Sequence, residues 1–262
     1  GLSNIAETAD DAARYQRRIA EVHLANGAAA DARSAFLRAL DHLPGDLDAI
    51  AGIKEIVRAG EDWQGLVGIL SREFEVSKGD HQVVLAREIA EIWEDQLGDG
   101  VVAAEAWRKV IELVPGDQPA LKRLVLLAEA NADWASFISD GKSLVNFLEG
   151  DERSSLLARM GRAALQHMRR EDEAVRLLED ASTGSAPSVQ AAEDLETIYA
   201  ARGSWDLVVE CTLRRARASD SAGSGDANSC AATVSAAVRS SPRAAHAAAG
   251  SAAASTPAVV AA

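Results

Sequence analysis

Apolar and polar residues alternate along the first part of the chain with the period of an α-helix. The apolar positions recur three or four residues apart, at Ile19, Ala20, His23, Ala32, Ala35, Phe36, Ala39 and Leu40. This spacing predicts two amphipathic helices that each present one apolar face. Gly27 separates the two helices, and Pro44 with Gly45 ends the second.

Tryptophan returns at a fixed spacing, at Trp63, Trp134 and Trp205, which we term the tryptophan interval. Other residue types keep the same interval: Ala32, Ala103 and Ala174; Phe36, Trp107 and Leu178; Pro44 and Pro115; Gly79 and Gly150. Because several residue types share one interval, the chain is predicted to consist of internal repeats.

Each tryptophan interval divides into two units of similar length, and each unit predicts a helix hairpin. The expected organisation is a lead-in at 1–12, units at 13–46, 47–80, 81–117, 118–151, 152–188 and 189–216, and a tail at 217–262. Expected helix N-caps are Asp46, Asp62, Asp117, Asp133 and Ser204. A helix of about 13 residues, ~20 Å long, is marginal alone in water, so the hairpins must stack.

The odd-numbered units resemble a tetratricopeptide repeat. The matching residues are Ala20, Ala32, Phe36, Ala39 and Pro44 in the first unit; Ala90, Trp93, Ala103, Trp107 and Pro115 in the third; and Gly161, Ala174, Leu178 and Ala181 in the fifth. In that family the small residues let the two helices of a unit approach closely, and the proline closes the unit. The resemblance implies an all-α fold, an α-solenoid (a right-handed superhelix) of about six helix-turn-helix repeats.

The even-numbered units depart from this pattern. They carry Leu66, Phe137 and Val208 at the small-residue position, a tryptophan three positions earlier, and no closing proline. They resemble the degenerate units that alternate with regular ones in long bacterial tetratricopeptide arrays. We expect each tryptophan to pack across the turn of its own hairpin. On that expectation Trp134→Ala destabilises the fold by ~3–5 kcal/mol, as loss of a buried aromatic does.

The segment 217–262 is rich in alanine and serine and has no Leu, Ile, Phe, Trp or Tyr. Such a composition predicts a disordered tail. A flexible linker, a functional tail and an out-of-frame reading of a GC-rich gene all fit it. The sixth unit lacks a polar capping helix, which predicts an exposed apolar end and self-association through it.

Composition restricts the classes of partner. The formal net charge of −13 argues against nucleic acid and anionic membranes. No segment approaches the roughly 20 apolar residues of a membrane span, and the first residues lack the pattern of a signal peptide. A cytoplasmic location is therefore expected, although the absence of an initiating Met is consistent with a fragment or a processed piece.

Catalytic and metal-binding patterns are absent from the sequence. Cys211 and Cys230 are too few for a disulfide framework or metal site, and the five histidines lack metal-ligand spacing. No nucleophile elbow, P-loop or dinucleotide motif occurs. The sequence thus predicts no cofactor, no metal and no enzyme activity. The acidic cluster Glu91, Glu94, Asp95 and Asp99 is expected to be solvent-facing charge.

The resemblance also implies that the first helix of each unit lines a concave surface that binds peptides. The candidate partner-binding residues are Arg14, Arg17, Arg18, Glu21, Arg87, Glu91, Lys122 and Arg162. The three arginines near residue 14 could hold an acidic peptide. The Lys/Asn set that clamps a C-terminal carboxylate in chaperone-tail receptors is not reproduced. The predicted function is a non-enzymatic protein–protein interaction scaffold; the alternative is a regulatory or substrate-recruiting segment of a larger enzyme whose catalytic domain lies outside this chain.

Overall fold

The computed structural model describes residues 8–221. These residues form twelve α-helices: α1 Ala9–Ala25, α2 Ala29–His42, α3 Leu47–Ala59, α4 Trp63–Val76, α5 Asp80–Glu91, α6 Gly100–Leu113, α7 Gln118–Ala130, α8 Trp134–Val145, α9 Gly150–Gln166, α10 Glu171–Thr183, α11 Val189–Ala201 and α12 Trp205–Ser221. A π-helical segment, Ile92–Gln96, continues α5. The predicted all-α fold class is confirmed.

The chain divides into two compact units, residues 1–131 and residues 132–262. The N-terminal unit contains α1–α7, and the C-terminal unit contains α8–α12. Within each unit, every helix packs against the next one along the chain. This neighbour-by-neighbour packing is the arrangement of an α-solenoid.

Small residues allow close helix packing at the positions that the sequence predicts. Ala20 and Ala32 have no exposed surface, and neither do Ala90 and Ala103. At Gly161 a Cβ atom would lie 2.7 Å from Leu178 Cγ, so only glycine fits against that side chain. The expected role of these residues is confirmed.

Most of the predicted helix N-caps are confirmed. The side chains of Asp46, Asp62, Asp117 and Asp133 accept hydrogen bonds from the backbone N–H groups at the N3 positions of α3, α4, α7 and α8. Each carboxylate thereby satisfies a donor that the helix itself leaves unpaired. The same aspartates place negative charge at the positive ends of the helix dipoles.

The turns inside the hairpins repeat their backbone geometry. Left-handed φ values occur at Gly27, Gly98 and Arg169 in the odd units, and at Glu61, Ala132 and Gly203 in the even units. Each set keeps the tryptophan interval. Three of the six positions carry a side chain in a conformation that favours glycine. Repeated packing therefore fixes these turns even where the residue type does not.

Two kinds of connection join one repeat to the next. The closed junction leads from an odd to an even repeat through a proline: Pro44 lies before α3, Pro115 before α7 and Pro187 before α11. The open junction leads from an even to an odd repeat through a glycine with positive φ, Gly79 before α5 and Gly150 at the start of α9. Neither α5 nor α9 has a side-chain N-cap.

Both ends of the helical region extend beyond the predicted limits. Helix α1 begins at Ala9, inside the predicted lead-in, because the Thr8 hydroxyl accepts the Asp11 N–H at 3.1 Å and caps the helix. Helix α12 continues to Ser221, past the predicted end of the last unit at 216. The remainder of the predicted tail, with Cys230 and His246, lies outside the described residues.

The three recurring tryptophans are half-buried. Trp63 packs against the apolar core of the N-terminal unit. Trp134 stacks on His167, with ring centroids 4.0 Å apart and planes 3° from parallel. His167 is the C-cap of α9, so this contact is made with the following repeat, which the sequence prediction did not include. Because Trp134 is half-buried, the expected cost of its removal is smaller than that of a fully buried aromatic.

Candidate functional site

Arginine–carboxylate pairs join the first helices of neighbouring repeats. Within each unit, every adjacent pair of first helices is bridged in this way. The bridges are Arg17 with Asp46 and Asp48 (α1–α3), Arg58 with Glu88 (α3–α5), Arg87 with Asp117 and Arg123 with Glu94 (α5–α7), and Arg162 with Asp194 (α9–α11). Within each unit, the surface that its first helices form is termed the first-helix face.

Two of these bridges use the aspartates that cap helices. Asp46 and Asp117 are separated by one tryptophan interval, and only 5% of each side chain is exposed. Arg17 Nε lies 3.0 Å from Asp46 Oδ2, and Arg87 pairs with Asp117. Each carboxylate therefore caps one helix and binds an arginine of the preceding repeat. A buried charge needs such pairing to offset the loss of its hydration.

The five arginines among the predicted partner-binding residues fall into two groups. Arg17, Arg87 and Arg162 belong to the bridges between repeats. Arg14 and Arg18 have 62% and 82% of their side chains exposed, and each pairs with a carboxylate on α1 itself, Asp11 and Glu21 respectively.

Glu91 and Lys122 are exposed on α5 and α7. Arg14, Arg17, Arg18 and Glu21 all lie on α1, whereas the other candidates lie on three further helices. The structure therefore brings four of the eight predicted residues together on one helix.

The acidic cluster at residues 91–99 has structural roles that its composition did not predict. Glu94, on the π-helical segment, accepts a hydrogen bond from Trp107 Nε1 at 2.8 Å and one from Arg123 at 3.0 Å. Asp99 caps α6 by accepting the N–H groups of Val101 and Val102. The prediction of solvent-facing charge is therefore wrong for Glu94, whose side chain is only 17% exposed, whereas Asp99 is exposed and also caps a helix.

A buried carboxylate holds together the first open junction. Glu73 on α4 lies 2.9 Å from Lys54 Nζ on α3 and 3.0 Å from His81 Nε2 on α5. Burial acts to raise the pKa of Glu73, but the hydrogen bonds and charges of Lys54 and His81 outweigh burial and hold that pKa below its usual 4.5. Glu73 is therefore a carboxylate at neutral pH that links three consecutive helices.

Each open junction also contains a groove between the second helix of the even repeat and the following odd repeat. The first groove, of about 300 Å³, is lined by Ser71, Phe74, Glu75, Ala86, Ile89, Ala106 and Lys109. The second groove, of about 680 Å³, is lined by Lys142, Val145, Asn146, Arg153, Leu157, Glu173, Arg176, Leu177 and Asp180.

The second groove is the more polar of the two. Lys142 donates to Glu173 at 2.5 Å, and Arg153 donates to the Val145 carbonyl at 2.7 Å. The hydrogen bond from Lys142 holds the pKa of Glu173 below its usual value. The sequence analysis did not predict either groove. The signal available was that Phe74 and Val145, which line the two grooves, are separated by the tryptophan interval and so occupy equivalent positions.

No group of three or more potential metal ligands occurs among residues 8–221. Burial raises the pKa of the Cys211 thiol to about 11. At neutral pH Cys211 therefore stays a protonated packing residue, not a thiolate nucleophile. None of the helices in this range is both long and apolar enough to cross a membrane.

No protein-family model and no curated protein matches this sequence. One similar solved structure is that of YrrB, described as a TPR protein with an unusual peptide-binding site; it is 12% identical, covers 68% of this chain and 89% of its own, and has a TM-score of 0.37. Another is a MamA protein, 14% identical, covering 68% of this chain and 93% of its own, with a TM-score of 0.43. A third, Pseudomonas aeruginosa pilF, is 12% identical, covering 80% of this chain and 92% of its own, with a TM-score of 0.37.

At these identities the similarity concerns the fold alone. The packing of consecutive helices within each unit agrees with the α-solenoid fold that the predicted resemblance implies.

Proposed function

We propose that this chain is a non-enzymatic scaffold that binds a peptide or partner protein on the first-helix face. The observation that carries the proposal is the series of arginine–carboxylate bridges between neighbouring first helices. A surface whose elements are already tied together loses little conformational entropy when a partner binds.

The exposed arginines of α1 are the proposed direct contacts. Arg14 and Arg18 pair with carboxylates three residues away on their own helix, and exposed pairs of this kind contribute about 0–1 kcal/mol. A partner carboxylate can replace these weak internal pairs and form charge-assisted hydrogen bonds. Glu21, Glu91 and Lys122 extend the proposed contact surface with mixed charge, which favours a partner with an alternating charge pattern.

The bridging arginines have a different proposed role. Arg17, Arg87 and Arg162 each hold a carboxylate of the next repeat. We therefore expect them to contribute to binding affinity mainly by keeping neighbouring first helices in place, and less by direct contact with the partner. Replacing Arg87 leaves the buried Asp117 without its cation. We therefore expect Arg87 variants to lose stability as well as binding.

The test measures fluorescence anisotropy of a labelled decapeptide rich in glutamate against the full chain. Arg14→Glu combined with Arg18→Glu is expected to weaken binding by about tenfold or more, because two attractions become repulsions. Arg38→Glu on α2 is the matched control, since Arg38 is an exposed arginine outside the first-helix face. Equal affinity for the double variant and the control would refute the proposed contacts.

A further inference from the structure

The two open-junction grooves occupy the same place in successive tryptophan intervals. Their floors consist of equivalent residues, each pair separated by that interval: Phe74 and Val145, Ala86 and Leu157, Ala106 and Leu177. Each floor combines the second helix of an even repeat with both helices of the next odd repeat. The groove is therefore a property of the pair of repeats, not of a single repeat.

The closed junction before α3 is filled at the corresponding place. There the Phe36 ring occupies the gap, and a Cβ at Gly52 would lie 2.5 Å from it. In the following even repeat, Leu70 stands in place of Phe36. Phe74 packs against both core clusters of the N-terminal unit but stays half-buried between them. The first groove thus lies where that apolar core is interrupted.

The first groove combines this apolar floor with one unneutralised charge. Lys109 on the α6 side is neutralised by Glu112 at 2.7 Å. Glu75 on the α4 side is exposed and pairs with no side chain among residues 8–219. Directly after Glu75, Val76 has 42% of its surface exposed at the end of α4. A carboxylate beside exposed apolar surface is complementary to an apolar side chain that has a cation next to it.

We propose that the first groove binds a partner protein segment that places a large apolar side chain on the floor and a lysine or arginine against Glu75. A volume of about 300 Å³ is at the lower end for ligand sites and suits one side chain. The groove is lined by the second helices α4 and α6 as well as by α5, so this proposal goes beyond binding on the first-helix face.

The second groove repeats the position but changes the charges. Asp180 stands where the first groove has Lys109, and Lys142 stands where it has Ser71. Asn146 replaces the carboxylate of Glu75. At the position of Glu75 the second groove therefore offers no carboxylate, and Lys142 repels a cation there, so we expect one such segment per chain.

The experiment is isothermal titration of the full chain with a synthetic peptide that carries one leucine between two lysines. We expect one peptide per chain. Glu75→Lys is expected to weaken binding about tenfold, and Ala106→Leu to weaken it similarly by filling the floor with the residue type of Leu177. Asp41→Lys, at an exposed carboxylate of α2 outside both grooves, is the control and should bind as the parent does.

Charge-swapped rescue separates docking from misfolding. A second peptide with glutamates in place of the lysines should bind Glu75→Lys more tightly than it binds the parent. Unchanged binding by both groove variants, or two peptides per chain, would overturn the proposal. If the parent protein is a dimer and Glu75→Lys dissociates it, the occupant is a second copy of the chain and the proposal is wrong. If the peptide binds only after residues 222–262 are removed, the occupant is the chain's own C-terminal segment and the proposal is also wrong.

Discussion

The closed and open junctions connect the same kind of hairpin by different means. At the first closed junction a proline turn and a capping aspartate start the next helix, and the Phe36 ring fills the space against Gly52. At the open junction a glycine with positive φ starts an uncapped helix, and a groove remains. The closed junctions thus contribute packing and the open junctions leave accessible surface. Because the two kinds alternate, the full repeat of the chain is a pair of hairpins and not a single hairpin.

The largest expected difference between the junctions comes from removing an aromatic ring at each. Phe36→Ala at the closed junction should lower the free energy of unfolding by about 3–5 kcal/mol, because a buried ring is lost and a cavity remains. Phe74→Ala at the open junction should cost only about 1–2 kcal/mol, because that ring is half-buried. Urea unfolding of the full chain measures both. Equal losses would contradict the division between the junctions.

Charge, not ring packing, should dominate the loss at the first open junction. Lys54→Met removes a partner of the buried Glu73 and should cost about 2–3 kcal/mol at pH 7. The folded-state pKa of Glu73 is below 4.5, so the stabilisation by its charge is present above that pH and is lost as pH falls through the folded pKa. The difference between variant and parent should therefore shrink on acidification.

Urea unfolding between pH 3 and pH 7 tests this dependence on pH. The double variant Lys54→Met with Glu73→Leu should recover much of the lost stability, because it replaces the buried pair with apolar packing. A difference that stays constant down to pH 3 would show that the Lys54 stem, not its charge, stabilises the junction.

A smaller effect is expected at the second open junction, where Trp134 stacks on His167. Trp134→Ala should cost about 1–2 kcal/mol, since the indole is half-buried. A double-mutant cycle with His167→Ala should give a coupling of about 0.5–1.5 kcal/mol, the range for aromatic pairs. Thermal unfolding of the four proteins measures it. No coupling would mean that the stack does not help to hold α8 against α9.

The sequence was sufficient for the features that repeat locally. Apolar spacing, the tryptophan interval and capping residues such as Asp46 can each be read from the order of residues along the chain, so the helices and most of their caps could be predicted. The Arg17–Asp46 and Arg87–Asp117 pairs could not, because their partners belong to successive repeats and meet only after the repeats stack. The first groove was missed for a related reason: its shape depends on which side chains, such as Phe74, fail to fill a junction.

The π-helical segment Ile92–Gln96 accommodates a difference in length between the first and third repeats. From the first repeat to the third, the step from Ala20 to Ala90 is one residue shorter than the step from Gly27 to Gly98. One residue has been inserted between these points, and a π turn absorbs one residue without ending the helix.

The fifth repeat keeps the same inserted length but ends α9 at Gln166, three residues before the left-handed Arg169, so its turn is longer instead. The third and fifth repeats thus accommodate the extra residue in different ways, but both do so before the turn of the hairpin. The spacing between the recurring tryptophans is therefore unchanged. Engineered arrays of this type should therefore tolerate insertions at this point of the odd repeat.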